Sequence, residues 1–267
     1  MTKLKHTFKD DMLCKMLFVK HPHLLKRFVA RLLKIRFESI EQFVITNPEM
    51  PPDSLGDKFC RFDINMVING QKVDLEVQVN PEKDYAERSL YYWARAYSSA
   101  LPEGENYLLL PKTIIISIID FKMFDCVEFY SEFHALEVTR HTKLTDKFCM
   151  LYFELPKIPV VEDKENLLQL WLSLFKAETE EELARIEALE VEEMEQAIQA
   201  YQHIAISSEF KEAERLRSRA RHNEATALYN AAKQRDVEIA QNMKADGEPV
   251  EKIIRYTGLS RDEIQEL

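Results

Sequence analysis

The sequence predicts an α/β fold in which helices pack on a small sheet, followed by a helical C-terminal arm. Three observations support this prediction. The segment "DINMVINGQKVDLEVQV" (Asp63–Val79) has two alternating stretches around an Asn-Gly turn, which indicates a β-hairpin. A helix is predicted over Asp84–Leu101, and the apolar run Thr113–Ile119 predicts a buried strand. A strand pair, a helix and a further strand in this order are typical of a sheet with helices packed on it.

Further elements flank this central part. Between Met12 and Leu33 apolar residues recur at helical spacing, and Pro22 divides the segment into two predicted helices. A loop rich in Pro, Asp and Gly is expected over Thr46–Asp57. A fourth strand is predicted at Met150–Leu155.

The composition changes after Pro159, where the chain becomes highly charged, poor in glycine and helical in pattern. We therefore predict one domain over residues 1–159 and a helical extension over residues 160–267. The end of the extension, residues 236–267, has the outline of a helix-turn-helix, with a turn at Thr257–Leu259 and Ser260 as the N-cap of a last short helix. A DNA-reading role and a packing or oligomerisation role both fit this outline, and the second is favoured.

The overall composition excludes several classes of protein. The formal net charge is -10, yet Lys and Arg are concentrated near the N-terminus, so a local basic face is compatible with an acidic chain. The apolar runs are too short to span a membrane and the start lacks a secretory signal. The four cysteines are far apart, which favours a reducing, cytoplasmic setting. Glycine-rich phosphate-binding motifs are missing, so no nucleotide cofactor is expected.

The hairpin turn fixes which residues face each other. If Asn69–Gly70 forms a two-residue type I′ loop, Asp63 pairs with Glu76 and the apolar residues fall on one face. Two carboxylates at this separation repel each other. A Mg²⁺ ion would remove the repulsion, because it binds carboxylates and often a backbone carbonyl and keeps other positions for water and phosphate. The alternative is a solvated polar face whose acids are neutralised by Lys72 or Arg61.

Four segments together resemble a known family. They are Asp10–Phe18, Gly56–Val79, Glu87–Leu101 and Leu110–Phe121. The strand Asp, the hairpin and the Glu-x-Gln motif resemble the PD-(D/E)XK nuclease core, a small mixed sheet flanked by helices. More narrowly, the set resembles the Rpn family of recombination-promoting nucleases, also described as transposases. The resemblance covers roughly the first 155 residues.

The resemblance implies the central residues of a catalytic site. Asp63 and Glu76 would be the metal-binding acids, with the carbonyl of Val77 as a third ligand. Gln78 stands where the wider superfamily has a Lys; it can orient a water molecule but supplies no positive charge. Phe62 stands where the superfamily has a proline.

The resemblance also selects residues on the two neighbouring helices. Asp11 and Lys15 match an acid and a lysine of the family's opening helix, Asp11 being counted with the catalytic residues and Lys15 with the substrate-binding ones. Arg88 and Tyr92 match a recurrent Arg and Tyr and would bind substrate. For Arg88 the alternative is pairing with a nearby acid, and for Tyr92 it is core packing.

Two hypotheses on function follow from the resemblance. The first is a Mg²⁺-dependent (or Mn²⁺-dependent) endonuclease acting on double-stranded DNA, associated with recombination or transposition and possible as a homodimer. Basic residues of the first helices would then follow the phosphate backbone. The second is a catalytically inactive nuclease fold that serves as a DNA-binding or protein-interaction module.

Overall fold

The computed structural model describes residues 2–46, 63–160 and 163–267. By their contacts these residues form two compact units, one reaching Phe210 and the other beginning at Lys211. The loop predicted over Thr46–Asp57 falls, beyond Thr46 itself, outside the described residues, as do Arg61 and Phe62. None of the helices in the described ranges is both long and apolar enough to cross a membrane.

The first unit is built on a mixed six-stranded sheet. Its strands are β1 Phe43–Ile45, β2 Asp63–Ile68, β3 Gln71–Gln78, β4 Thr113–Ile119, β5 Tyr130–Phe133 and β6 Phe148–Glu154. They lie in the order β1-β2-β3-β4-β6-β5. The central strands β3, β4 and β6 run parallel, whereas the outer pairs are antiparallel. The predicted fold class, a small mixed sheet flanked by helices, is confirmed.

The α-helices within the described ranges are α1 Asp11–Lys20, α2 Pro22–Leu32, α3 Tyr85–Ser98, α4 Leu167–Lys176, α5 Glu180–Glu187, α6 Glu192–Ile206, α7 Ser208–Ala245, α8 Val250–Thr257 and α9 Arg261–Glu266. The predicted division of the first helical segment is confirmed, because Pro22 opens α2 at a position that needs no amide hydrogen. Asp10 caps α1, and its carboxylate accepts a hydrogen bond from the Leu13 amide.

The hairpin has the register that the turn predicts. Asp63 pairs with Glu76 across β2 and β3, and Ile68 pairs with Gln71 beside the turn. Asn69–Gly70 has φ angles of 48° and 77°, the left-handed backbone of a type I′ loop. The register therefore rests on local turn chemistry and on alternation together.

Asn69 also fastens the turn to the segment before β1, which leads to a stability prediction. Its Oδ1 accepts hydrogen bonds from the amides of Glu41 and Gln42, both at 3.0 Å, and its Nδ2 donates to the carbonyl of Ser39 at 2.7 Å. We expect Asn69→Ala to lower the free energy of unfolding by about 1–2 kcal/mol, because these bonds are lost and Ala tolerates positive φ less well. Urea denaturation measures this, and Asn69→Asp, which keeps the acceptor, should cost less. Equal losses for both variants would contradict this account.

The two faces of the sheet are covered by different helices. Ile64, Leu75 and Ile116 lie in one large apolar core with Phe28 of α2 and Trp171 of α4. On the opposite face, α3 packs its Tyr85 and Trp93 against residues of β4 and β6. The polar side of the hairpin faces α3, because Glu76 is beside Ser117 and Asp74 is beside Ile115 in the parallel ladder.

Helices α4 to α6 pack against the apolar core on one face of the sheet. Trp171, Ile198 and Phe210 are buried in the same core as the strands, which explains why the first unit continues to Phe210. The boundary predicted at residue 159 lies within this unit, just before α4.

The second unit contains most of α7 with α8 and α9. Ile253 of α8 and Ile264 of α9 are buried against Ala240 of α7. Gly258 ends α8 with a φ of 71°, and Ser260 caps α9 in a reciprocal pair with Glu263, so the predicted turn and cap are confirmed.

Candidate active site

One end of the hairpin gathers the predicted catalytic residues. Asp63 is the first residue of β2 and pairs with Glu76 near the end of β3. Because β4 runs parallel to β3, its end lies at the same edge, and the amide of Asp120 donates to the carbonyl of Gln78 at 2.9 Å. The backbone thus brings the start of β2 and the ends of β3 and β4 together. The side chain of Asp63 is outside the described part of the structure.

The carboxylate of Glu76 is buried, with 2% of the residue exposed. Its Oε2 accepts a hydrogen bond from the Tyr85 hydroxyl at 3.1 Å, and its Oε1 lies 3.3 Å from Nη2 of Arg88. Burial, followed by the negative charge of Glu76, raises the pKa of Tyr85 well above its usual value, so the hydroxyl remains a donor. The Glu76 carboxylate therefore accepts a hydrogen bond from a phenol on one oxygen and pairs with a guanidinium through the other.

Arg88 connects the site to the loop before α3. Its guanidinium pairs with Glu82 as well as Glu76 and lies over the ring of Tyr85, 4.8 Å from the centroid. The pairing of Arg88 with a nearby acid is therefore present in the structure, and substrate binding by Arg88 stays a prediction. Its Nε is buried and has no acceptor among the described residues. This N–H group could therefore donate a hydrogen bond to an oxyanion.

Gln78 is placed on the same face as Glu76, two residues further along β3. The residue is 5% exposed, and its Nε2 donates to the carbonyl of Asn80 at 2.7 Å. This bond fixes the plane of the amide. Glu76 and Gln78 are both buried, so the alternative of a solvated polar face does not hold at these two positions. Tyr85 and Arg88 of α3 contact Glu76.

The start of α1 reaches the same edge of the sheet. Lys9 lies two residues before Asp11, and its Nζ is 2.6 Å from Oδ2 of Asp120 and 3.0 Å from a Glu178 oxygen. Asp11 is half-buried, and its Oδ1 accepts a hydrogen bond from the Met12 amide. Lys15, one helical turn later, is 5% exposed. The helix that carries Asp11 and Lys15 therefore begins beside the ends of β3 and β4.

The residues of α3 after Arg88, and Lys72 of β3, have different surroundings. Tyr92 is half-buried, one turn after Arg88, with its ring centroid 6.0 Å from that of Tyr91. Trp93 packs in the core, and its indole nitrogen donates to the carbonyl of Thr113 at 2.9 Å. Lys72 donates to the carbonyl of Ala96 near the end of α3, at the opposite end of β3, so it does not neutralise Glu76.

Tyr85, Glu82 and Asp120 are site residues that no motif in the sequence indicates. Tyr85 stands three residues before Arg88, so the helical period could have placed the two side chains on one face. Asp120 follows a buried strand, where acids commonly cap strand ends, and only its contact with Lys9 draws attention to it.

The ligand chemistry at this edge fits a hard divalent cation. A buried carboxylate, a side-chain amide and backbone carbonyls are oxygen ligands of the kind that Mg²⁺ and Mn²⁺ prefer. The Arg88 guanidinium occupies one side of Glu76, so an ion would share the carboxylate with it or replace it.

The sheet order, the hairpin and the helices define a PD-(D/E)XK nuclease-like α/β protein. The chain belongs to the PD-(D/E)XK nuclease family transposases, whose family model matches residues 9–231. This match confirms the family resemblance and indicates a nuclease- or transposase-related function. Comparison with curated proteins and with solved structures gave no significant match.

Proposed function

We propose that the protein is a Mg²⁺-dependent (or Mn²⁺-dependent) endonuclease that hydrolyses phosphodiester bonds of double-stranded DNA in recombination or transposition. The observation that supports this best is the strand register, which sets Asp63 opposite Glu76 with Gln78 two residues further on. Family membership supports the same reaction class. A cytoplasmic location suits such an enzyme.

Asp63, Glu76 and the backbone carbonyl of Val77 would hold the ion. When bound, a divalent cation polarises a phosphoryl oxygen and lowers the pKa of a coordinated water. Gln78 would orient the attacking water with its amide, whose plane is already fixed by Asn80. Asp11, at the start of α1, would assist from the neighbouring helix.

Arg88 would change partners when DNA binds. In the structure its charge balances Glu76, and Glu82 holds the other side of the guanidinium. A cation on Glu76 would weaken that pair, and the buried Nε would then have a phosphate oxygen as its acceptor. Lys15 and Tyr92 would contact the substrate nearby. We expect a homodimer, since two copies could each cut one strand.

Plasmid cleavage tests this proposal. The purified chain should nick or linearise supercoiled DNA with Mg²⁺ or Mn²⁺ and lose the activity with a chelator. Asp63→Ala should reduce the rate by at least about 100-fold. Asp74→Asn, on the same polar face but nearer the turn, is the control and should retain cleavage.

The second candidate is an inactive nuclease-fold module that binds DNA or protein. The Arg88–Glu76 ion pair favours it, because the guanidinium already neutralises the proposed metal ligand. DNA binding that is unchanged in Asp63→Ala, with no cleavage under any divalent ion, would support the module and reject the endonuclease.

A further inference from the structure

A second cluster of possible metal ligands lies at the opposite edge of the sheet. Glu132 is on the edge strand β5, His134 follows one residue after its end, and Cys149 is on β6. Phe133 pairs with Met150, so continuing the antiparallel ladder by one residue sets His134 opposite Cys149. Strands β4 and β6 separate this edge from the β2–β3 hairpin.

The three side chains meet closely. One carboxylate oxygen of Glu132, one ring nitrogen of His134 and the sulfur of Cys149 all lie within 4.8 Å of one another. Cys149 is a free thiol and only 3% exposed, whereas Glu132 and His134 are open to solvent on one side. An ion could therefore enter from solvent and reach a buried sulfur.

The hydrogen bonds of His134 indicate that a cation lies between its ring and Glu132. Its Nδ1 lies 3.1 Å from the carbonyl oxygen of Phe148, and its Nε2 lies 2.7 Å from Oε1 of Glu132. A carbonyl can only accept, so Nδ1 carries a hydrogen. The carboxylate can also only accept, so Nε2 and Oε1 need a cation between them: a second proton or a metal ion.

The groups around His134 and Glu132 favour a metal ion over a second proton. The Phe148 carbonyl orients the imidazole, and the Tyr130 hydroxyl donates to Oε2 of Glu132, which leaves Oε1 as the inward oxygen. Metal ligands are typically held by such outer hydrogen bonds. A bridging proton would not require the Cys149 sulfur, which nevertheless lies beside both groups. Burial raises the pKa of this thiol to about 11, so a bound ion has to displace its proton.

We propose that Glu132, His134 and Cys149 form a Zn²⁺ site, with a fourth position open to water. Oxygen, nitrogen and thiolate ligands together suit Zn²⁺ and exclude Mg²⁺, which avoids sulfur. Two ligands on tetrahedral zinc are roughly 3.3 Å apart, so Oε1 and Nε2 would separate slightly from their present 2.7 Å. The ion would join the edge strand β5 to β6 and protect that edge.

Cobalt binding to the full-length protein tests the site. Metal-free protein titrated with Co²⁺ should develop a near-ultraviolet thiolate-to-cobalt band at one ion per chain, and Zn²⁺ should remove it. Cys149→Ser should abolish the band, and His134→Ala should weaken binding by at least about 10-fold. The matched control is Cys126→Ser, which removes an exposed thiol that is not part of the cluster and should leave the band unchanged.

Two results would overturn the proposal: no thiolate band in the wild-type chain, or a band that survives in Cys149→Ser. Circular dichroism establishes that each variant is folded, and Glu132→Gln, a substitution on the open side of the cluster, provides a second variant if Cys149→Ser is unstable. The assay needs no DNA, and Asp63→Ala should show the full band, so this result is independent of the proposed nuclease activity.

Discussion

Glu76→Gln is expected to reduce metal-dependent DNA cleavage by roughly 1000-fold. The substitution keeps the size of the side chain and an oxygen that can accept from the Tyr85 hydroxyl, but it removes the negative charge. The same change leaves the half-buried Arg88 with Glu82 alone as its counter-ion. We therefore also expect a loss of about 1–3 kcal/mol in the free energy of unfolding. Plasmid cleavage rates and urea denaturation measure the two effects.

Arg88→Gln is the informative partner of this variant. If Arg88 competes with the cation for Glu76, its removal should tighten Mn²⁺ binding while it weakens DNA binding, since a phosphate clamp is lost. Electron paramagnetic resonance measures Mn²⁺ binding independently of DNA binding. Glu82→Gln, which removes only the outer acid, should change both much less. A wild-type rate of cleavage in Glu76→Gln would show that Glu76 is not a catalytic residue.

The parts of the fold that could be predicted are those set by local chemistry. The Asn69–Gly70 loop has two residues that adopt positive φ, and this turn, together with the alternation of apolar residues, fixes the register that pairs Asp63 with Glu76. Strand β4 has the predicted bounds, because every one of its residues is buried and the apolar run ends where the strand ends. Pro22 and Ser260 determine the starts of α2 and α9 through the backbone of a single helical turn, so these starts could also be predicted.

The parts that could not be predicted depend on contacts between distant segments. Arg88 had several acids within reach in the sequence, and only the packing of α3 over β3 selects Glu76 and Glu82. Strands β1 and β5 have three and four residues, too few for a reliable alternating pattern. The charged composition after Pro159 suggested a separate arm, yet the buried side of α4 is apolar throughout.

Trp171→Ala is expected to destabilise the whole first unit. Trp171 is fully buried, its ring is stacked on Phe28 with centroids 4.9 Å apart, and its Nε1 donates to Oε1 of the buried Glu193 at 2.5 Å. Removing the indole leaves a large cavity and takes a donor from a carboxylate that Arg27 and Arg31 approach only to 3.6 Å. The expected loss is about 3–5 kcal/mol in the free energy of unfolding.

Hydrogen exchange shows whether α4 and the sheet unfold together. If they form one cooperative unit, Trp171→Ala should reduce the protection of the β4 amides by the same free energy as the global loss, because Ile116 and Trp171 share one core. Trp171→Phe keeps an aromatic ring against Phe28 but loses the hydrogen bond to Glu193, and it should cost less. Unchanged protection of β4 in Trp171→Ala would instead mean that the residues after 159 fold as an independent extension, as the composition of the chain first indicated.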